Sequence, residues 1–364
     1  MKKLFSAILA SVLLAVCNLA LAQDSPPATK DTLYVNFLED LDKGDVLPFK
    51  FIYQRAKIRQ DTTITCSISH DLSFEVIENN KENQYVVFNI IQNNYQKQGP
   101  EANDPRYSSA TFLWEDGESL ELTVTYSGQM SVSESCGEPL FSKFSKNLDY
   151  IADTLASSQF VKEKLSREQW KELYSEMIDT NFIIWRAVSS FDDLFFFGAF
   201  DYEADSAYVL VDSTFCNYTG KPYYYYRQFG WDKTFSDEKE AFKDLYVFRS
   251  ISRVEGIPFV ETLYYPVKLT KEEIDGLMEK ADPVRLVHIV ELTVLADKGM
   301  GIPILLDKTT LDGYYDEIGD NSMKLVKEVL ALDIEKLMAQ ENDDDEEEDD
   351  GEPRYDDYGF IKVK

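Results

Sequence analysis

Polar and apolar residues alternate along several long stretches of the chain, starting near Leu33. In the clearest one, residues 63–76, apolar residues and one histidine occupy every even position, and polar residues occupy every odd position. A period of two over this length predicts one strand with one buried face. Shorter alternating stretches near residues 49–53, 85–91 and 120–126 are separated by turn residues. We therefore predict an N-terminal antiparallel β lobe over residues 33–160.

The second half of the chain repeats this pattern loosely. Residues 284–294 alternate again with a histidine on the apolar face, and further strands are predicted near residues 194–200, 208–215, 246–253 and 259–269. These segments predict a C-terminal β lobe over residues 191–320. Two separate lobes and one large barrel built in two passes both fit this symmetry.

The sequence predicts four helices. Ser166 and Gln169 form a capping box before apolar residues at three- and four-residue spacing, which predicts an amphipathic helix within residues 161–190. Thr270 and Glu273 cap a shorter helix, and residues 236–246 predict another. Residues 322–338 predict a further amphipathic helix, within segment 321–340. The predicted fold class is mainly β (α+β), with long antiparallel strands in a curved sheet or barrel and covering helices.

The first 22 residues have the order of a secretory signal peptide. Lys2 and Lys3 precede an uncharged apolar run, and Ala20-Leu21-Ala22 offers small residues for cleavage. The alternative is a lipoprotein anchored through Cys17, although Val16 stands where such boxes carry a small residue. We expect a periplasmic or secreted bacterial protein with a flexible leader over residues 23–32 and no transmembrane segment after signal removal.

The charge of the chain narrows its possible partners. The formal net charge is −29, and residues 341–352 hold ten acidic residues and no basic one. Such a surface repels phosphate backbones, so we expect no nucleic-acid partner. Residues 341–364 are predicted to be a disordered acidic tail. The partners that remain are a lipid-like small molecule or an envelope protein.

Histidines and aromatic residues supply the candidate ligand-binding residues. The chain has two histidines, His70 and His288, and both stand in line with apolar side chains. With 22 Tyr and 23 Phe, a β cavity lined by aromatic rings is one interpretation. The candidate ligand-binding residues are His70, His288, Phe74 and Tyr126. In the alternative interpretation the aromatic rings fill a core and each histidine is hydrogen-bonded locally.

Three cysteines follow the predicted signal peptide, so at most one internal disulfide can form. Cys136 and Cys216 are the candidate pair. Cys66 lies four residues from His70 on the same strand, so their α-carbons are about 13 Å apart and a Cys-His nucleophile is excluded. Cys66 is predicted to be a small core residue.

No catalytic motif is present in the sequence. It contains no G-x-S-x-G, H-E-x-x-H, P-loop or dinucleotide glycine pattern. We predict no catalytic residue, no cofactor and no metal site. Three hypotheses remain: an exported non-enzymatic protein that binds an apolar or amphipathic ligand in a β cavity; an envelope interaction protein with a filled core and a partner-binding acidic tail; and an unrecognised hydrolase.

A weak family resemblance supports the first hypothesis. With the secretory signal, Lys43-Gly44-Asp45 before a long strand and Asp297-Lys298-Gly299 in a late hairpin, the chain resembles uncharacterised lipocalin-like secreted proteins of Gram-negative bacteria. The resemblance implies a curved antiparallel sheet or barrel and an envelope location. It implies no site at the level of residues.

Overall fold

The computed structural model describes residues 31–58, 61–103, 116–133, 142, 153, 166–177, 191–216, 219–263, 269–280, 286–315 and 321–337. The described residues from Leu33 onward belong to one compact unit. The other unit, residues 1–32, is described only at its last two residues. The predicted signal peptide, the acidic tail and Cys136 lie outside the described residues.

Most of the described chain is in β-strands. The first seven are β1 (Thr32–Tyr34), β2 (Val46–Ile58), β3 (Thr62–Asn80), β4 (Tyr85–Gln98), β5 (Ser119–Thr125), β6 (Met130–Val132) and β7 (Asp201–Glu203). The others are β8 (Tyr208–Cys216), β9 (Lys221–Trp231), β10 (Leu245–Glu255), β11 (Val287–Asp297), β12 (Pro303–Tyr315) and β13 (Asn321–Leu332). The alternating stretches predicted near residues 63–76 and 284–294 correspond to β3 and β11.

Eleven of these strands form one antiparallel sheet. Its order is β6-β5-β4-β3-β2-β13-β12-β11-β10-β9-β8, and β1 and β7 form a separate two-stranded sheet. The strands of the two predicted lobes therefore belong to one sheet, joined where β2 pairs with β13. The mainly β, antiparallel fold class is confirmed, and the two halves are built as one sheet in two passes.

Besides the 3-10 turn Glu240–Phe242 and two isolated helical residues, six described segments are helical. They are α1 (Arg167–Met177), α2 (residues 191–196, followed by the 3-10 turn Phe197–Ala199), α3 (Lys233–Glu238), α4 (Ile257–Leu263), α5 (Lys271–Lys280) and a turn at residues 334–337. Both predicted caps are present. The Thr270 amide donates to Glu273 Oε2 at 2.7 Å, and the Ser166 amide donates to Gln169 Oε1 at 2.8 Å.

Three local predictions were wrong. The helix predicted in segment 321–340 is strand β13 up to Leu332, and only residues 334–337 are helical. Residues 257–263 form helix α4 where a strand was predicted. The strand predicted near residues 194–200 is also absent, because residues 194–196 are the end of helix α2 and residues 197–199 form the 3-10 turn. In β13, pairing with β12 on one side and β2 on the other outweighed the helical spacing of the apolar residues.

One face of the sheet, called the inner face below, carries the main core. In β3 it is the face of Ile68, Leu72 and Phe74, which are at most 2% exposed. Helix α2 covers this end of the inner face. Its rings Phe191 and Phe195 pack on Phe74 and Phe88 with centroids 5.1 Å and 5.7 Å apart. Aromatic burial of this kind supplies a large share of the stability of a β core.

Candidate functional site

Phe74, a predicted ligand-binding residue, lies in a filled part of the core. Its side chain is 0% exposed. Its ring makes edge contacts with Phe49, Phe88 and Phe191, with centroids 5.1 to 5.8 Å apart. These contacts assign Phe74 a packing role.

His70 lies on the same face of β3 as Phe74 and is also buried, at 3% exposed. Its ring is 5.0 Å from that of Phe51 and 6.3 Å from that of Tyr95. Burial lowers the pKa of His70 to about 4, against the opposing charges of Asp71 and Asp116. His70 is therefore a neutral core side chain at pH 7.

Tyr126 joins a loop to the sheet. Its hydroxyl donates to Asn79 Oδ1 at 2.7 Å. The Asn79 amide in turn donates to the carbonyl oxygens of Leu38 and Leu41 at 3.0 Å and 2.6 Å. Through these hydrogen bonds Tyr126 orients Asn79, which in turn holds the loop before β2.

We expect Tyr126→Phe to lower the free energy of unfolding by about 1 kcal/mol, because it removes one partly buried hydrogen bond. Chemical denaturation measures this change. Tyr85→Phe is the control, since the Tyr85 hydroxyl bonds to Glu78 at an exposed position and its loss should cost less. If Tyr126→Phe instead lost ligand binding and kept its stability, Tyr126 would be a ligand-binding residue.

His288 lies in an ionic cluster on three adjacent strands of the inner face. Its Nδ1 is 2.6 Å from Asp312 Oδ1, and Lys324 Nζ is 3.0 Å from Asp312 Oδ2. The three residues are direct cross-strand partners on β11, β12 and β13. Burial favours the neutral acid of Asp312, but the hydrogen bond from His288 and the charge of Lys324 outweigh it and lower the pKa of this carboxyl.

The two histidines do not share a site. Four steps in the strand order separate β3 from β11. Neighbouring strands lie about 4.8 Å apart, so His70 and His288 are about 19 Å apart along the sheet before their offset along the strands is added. His288 therefore belongs to a different part of the inner face from His70, Phe74 and Tyr126.

The cysteines are partly described. Cys66 is buried at 0% exposed, as predicted for a core residue, and burial raises the pKa of its thiol. Cys216 is buried at the end of β8. Cys136 lies outside the described residues, so its disulfide with Cys216 stays a prediction.

A second ionic cluster links helix α2 to the inner face. Asp193 of α2 accepts from Lys308 Nζ at 2.6 Å and from Arg227 at 3.3 Å, and Lys308 is also 3.4 Å from Glu328. Arg227 further donates to Ser250 Oγ at 2.8 Å. Burial favours neutral Lys308, but the two carboxylates outweigh it and raise the pKa of this amine.

The second helix over the inner face is α4, which contacts β8 and β10. Its Phe259 is buried with Val260 and Leu286 in a small separate cluster. The Phe259 ring stacks on His288, with centroids 6.3 Å apart and planes inclined by 17°. Helix α4 therefore covers the end of the inner face that carries the His288 cluster.

A strip of half-buried residues lies between the two ionic clusters. Val326, Thr310, Val290 and Ser252 are successive cross-strand partners on β13, β12, β11 and β10, and each is only partly buried. We call these four residues the inner strip. Lys308 and Asp312, which flank it on β12, are four residues apart, so the strip is about 13 Å wide along the strands. Two of its four residues are apolar and two carry a hydroxyl group, and the strip is bordered by fixed charges on both sides.

The inner strip was not found from the sequence, although one signal was present. Lys308, Thr310 and Asp312 stand at alternating positions of β12, in line with the buried Leu306. Charged residues at core-facing positions of a strand indicate a buried polar site. The residues that neutralise these charges are 12 to 115 positions away in the chain, which is why their pairing was not predicted.

The described residues contain neither a metal-binding group of side chains nor a membrane-spanning helix. Within those ranges, no three His, Cys, Asp or Glu side chains are grouped so that they could hold a metal ion. None of the helices described is both long and apolar enough to cross a membrane.

Comparison with known proteins does not define a family. No protein-family model matches the chain, and no curated protein matches it. Among solved structures it is similar to lipovitellin, described there as "lipid-protein interactions in lipovitellin", with 5% identity and a TM-score of 0.34. The similarity covers 80% of this chain and 25% of that chain. This chain thus spans about a quarter of the length of that lipovitellin chain.

Proposed function

We propose that this protein is an exported, non-enzymatic binding protein that holds an apolar or amphipathic ligand on the inner strip of its sheet. The observation that carries the proposal is the composition of the strip. Val326 and Val290 present half-buried apolar surface between two covering helices, Thr310 and Ser252 add hydroxyl groups, and charged side chains are fixed at both borders. Apolar surface with a few positioned polar groups is the usual make-up of a small-molecule site.

Export is part of the proposal because of the sequence of residues 1–22. A basic start, an apolar run and a small-residue cleavage site support secretion to the periplasm or beyond. The resemblance to lipocalin-like secreted proteins agrees with this location. A binding protein in the envelope also requires no catalytic motif.

Native mass spectrometry with lipid extraction tests the proposal. The protein is recovered from the periplasm of a secreting host, and we expect one stoichiometric apolar or amphipathic adduct. Thr310→Arg should lower the bound fraction about tenfold or more, because it places a charged side chain in the middle of the inner strip.

Thr309→Arg is the matched control. Thr309 is the same residue type, one position earlier on β12, equally half-buried and on the opposite face of the sheet. It should leave the adduct in place. A clean apo mass for the unmodified protein, or equal losses in both variants, would contradict binding at the inner strip.

The alternative function is that of an envelope interaction protein. The observation that favours it is the filled aromatic core around Phe74, which leaves the α2 end of the inner face without room for a ligand. An apo mass combined with loss of a protein partner on deletion of residues 341–364 would support this function.

A further inference from the structure

Two lysines face each other at the border of the inner strip. Lys57 on β2 and Lys324 on β13 are direct cross-strand partners. Their side chains reach groups of the inner face, since Lys57 Nζ is 2.8 Å from Glu101 Oε1 and Lys324 Nζ is 3.0 Å from Asp312 Oδ2. Like charges directly opposite each other in a sheet are destabilising unless something compensates them.

The compensation of this pair is incomplete. Glu101 is shared between Lys57 and Arg55, whose guanidinium lies 3.0 Å from Glu101 Oε2. Asp312 is shared in the same way between Lys324 and His288. Among the described residues each lysine thus has a share of one carboxylate, and an ammonium group carries three N–H donors.

The local charge is opposite in sign to that of the whole chain. Among the described residues, Lys57 and Lys324 lie directly opposite each other and reach Glu101 and Asp312, which also accept from Arg55 and contact His288, while the chain as a whole carries a net charge of −29. The side chains of Lys57 and Lys324 are 39% and 29% exposed, so an anion can reach them from solvent. A positive site in an acidic surface attracts anions selectively.

Apolar surface begins next to the pair. Val326 of the inner strip is two residues from Lys324 on the same face of β13, and Thr310 and Val290 continue the strip across β12 and β11. Residues two apart on one face of a strand are about 7 Å apart. A molecule whose anionic group lies at the lysine pair can therefore place an apolar chain along the strip.

We infer that Lys57 and Lys324 bind the anionic head group, a carboxylate or a phosphate monoester, of an amphipathic ligand whose apolar chain lies on the inner strip. This inference rests on the proposed function and adds the class of ligand to it. The lysines supply charge-assisted hydrogen bonds to the head group, and the strip buries the chain.

Calorimetric titration of the delipidated full-length protein with decanoate and 1-decanol tests the inference. We expect decanoate to bind at least about tenfold more tightly than the alcohol. Lys57→Gln and Lys324→Gln should each remove most of this difference, because each weakens the binding of decanoate more than that of 1-decanol. Lys324→Arg keeps the charge and should keep the preference.

Lys327→Gln is the matched control, because Lys327 lies on the opposite face of β13 and pairs with Asp307. It should not affect either titration. Thermal unfolding of each variant shows whether it is folded. If Lys324→Gln does not fold, Lys57→Gln still tests the inference, because it leaves the Arg55–Glu101 ion pair intact.

The other outcomes separate the two proposals. Equal affinities for decanoate and 1-decanol, insensitive to the lysines, would overturn the head-group site and leave amphiphile binding standing. Acetate or inorganic phosphate binding as tightly as decanoate would show a site for free anions and overturn the inference. Absence of binding by both decanoate and 1-decanol would overturn it together with the proposed function.

Discussion

Replacing Asp193 by alanine should lower the free energy of unfolding by about 3–5 kcal/mol, the cost of removing one partner from a buried ion pair. Lys308 and Arg227 both donate to this carboxylate, and the side chain of Asp193 is 13% exposed. Without Asp193, the carboxylate that remains for Lys308 among the described residues is Glu328, at 3.4 Å. Urea denaturation monitored by tryptophan fluorescence measures the change.

Asp307→Ala is the control for this prediction. Asp307 also pairs with a lysine, Lys327 at 3.0 Å, but its side chain is 28% exposed. Ion pairs with access to solvent contribute about 0–1 kcal/mol, so this substitution should have a small effect. Equal effects of the two substitutions would mean that the Asp193 cluster is not buried in solution.

A double substitution separates charge burial from packing. Asp193→Leu with Lys308→Met replaces the two charges by apolar side chains of similar size. Buried ion pairs replaced in this way often lose little stability or gain some. We therefore expect the double variant to be more stable than Asp193→Ala. If it is equally unstable, the loss comes from the packing of helix α2 or from Glu328 and Arg227, which also lose a partner in the double variant.

The long alternating strands could be predicted from the sequence, because one of their faces is buried and the other is exposed. In β3 the even positions from Cys66 to Val76 are buried and most odd positions are not. The position of β13 in the middle of the sheet removes this contrast. Leu325, Val326 and Val329 are half-buried on both faces of the strand, so their spacing matched a helix.

Helix α4 carried a local signal of its own that was overlooked. Pro258 directly precedes the strand predicted near residues 259–269, yet it occupies the first turn of α4, where proline is favoured. Helix α2 is rich in phenylalanine, which favours strands in general. Its Phe191, Leu194 and Phe195 have the i, i+3, i+4 spacing of one helical face, and all three are buried against the sheet.

The candidate site could be predicted only in part. His288 was selected because it stood in line with apolar residues, and it does lie at the border of the inner strip. Its partner Asp312 is one of 66 acidic residues, and only the pairing of β11 with β12 brings the two together. His70, Phe74 and Tyr126 were selected on the same grounds, but the first two lie in the filled core. Alternation identifies the inner face without showing which part of it is open.

The second large effect is expected from His70 and depends on pH. Burial lowers its pKa from 6.5 to about 4 in the folded chain, against the opposing charges of Asp71 and Asp116. The unfolded chain therefore binds a proton at a higher pH than the folded chain. The stability that neutral His70 contributes is complete above pH 6.5 and is lost as the pH falls from 6.5 to about 4. The full loss is about 3 kcal/mol.

The stability of the protein and of His70→Gln, measured between pH 7 and pH 4, tests this prediction. The variant cannot titrate at position 70, so its stability should fall by about 3 kcal/mol less than that of the unmodified protein over this range. Because the chain has only two histidines, the NMR signal of His70 can be assigned from the same variant. A His70 signal that titrates at pH 6.5 or above would contradict the prediction. If the pH dependence of stability is also unaltered in His70→Gln, His70 is in contact with solvent. It would then again be a candidate ligand-binding residue.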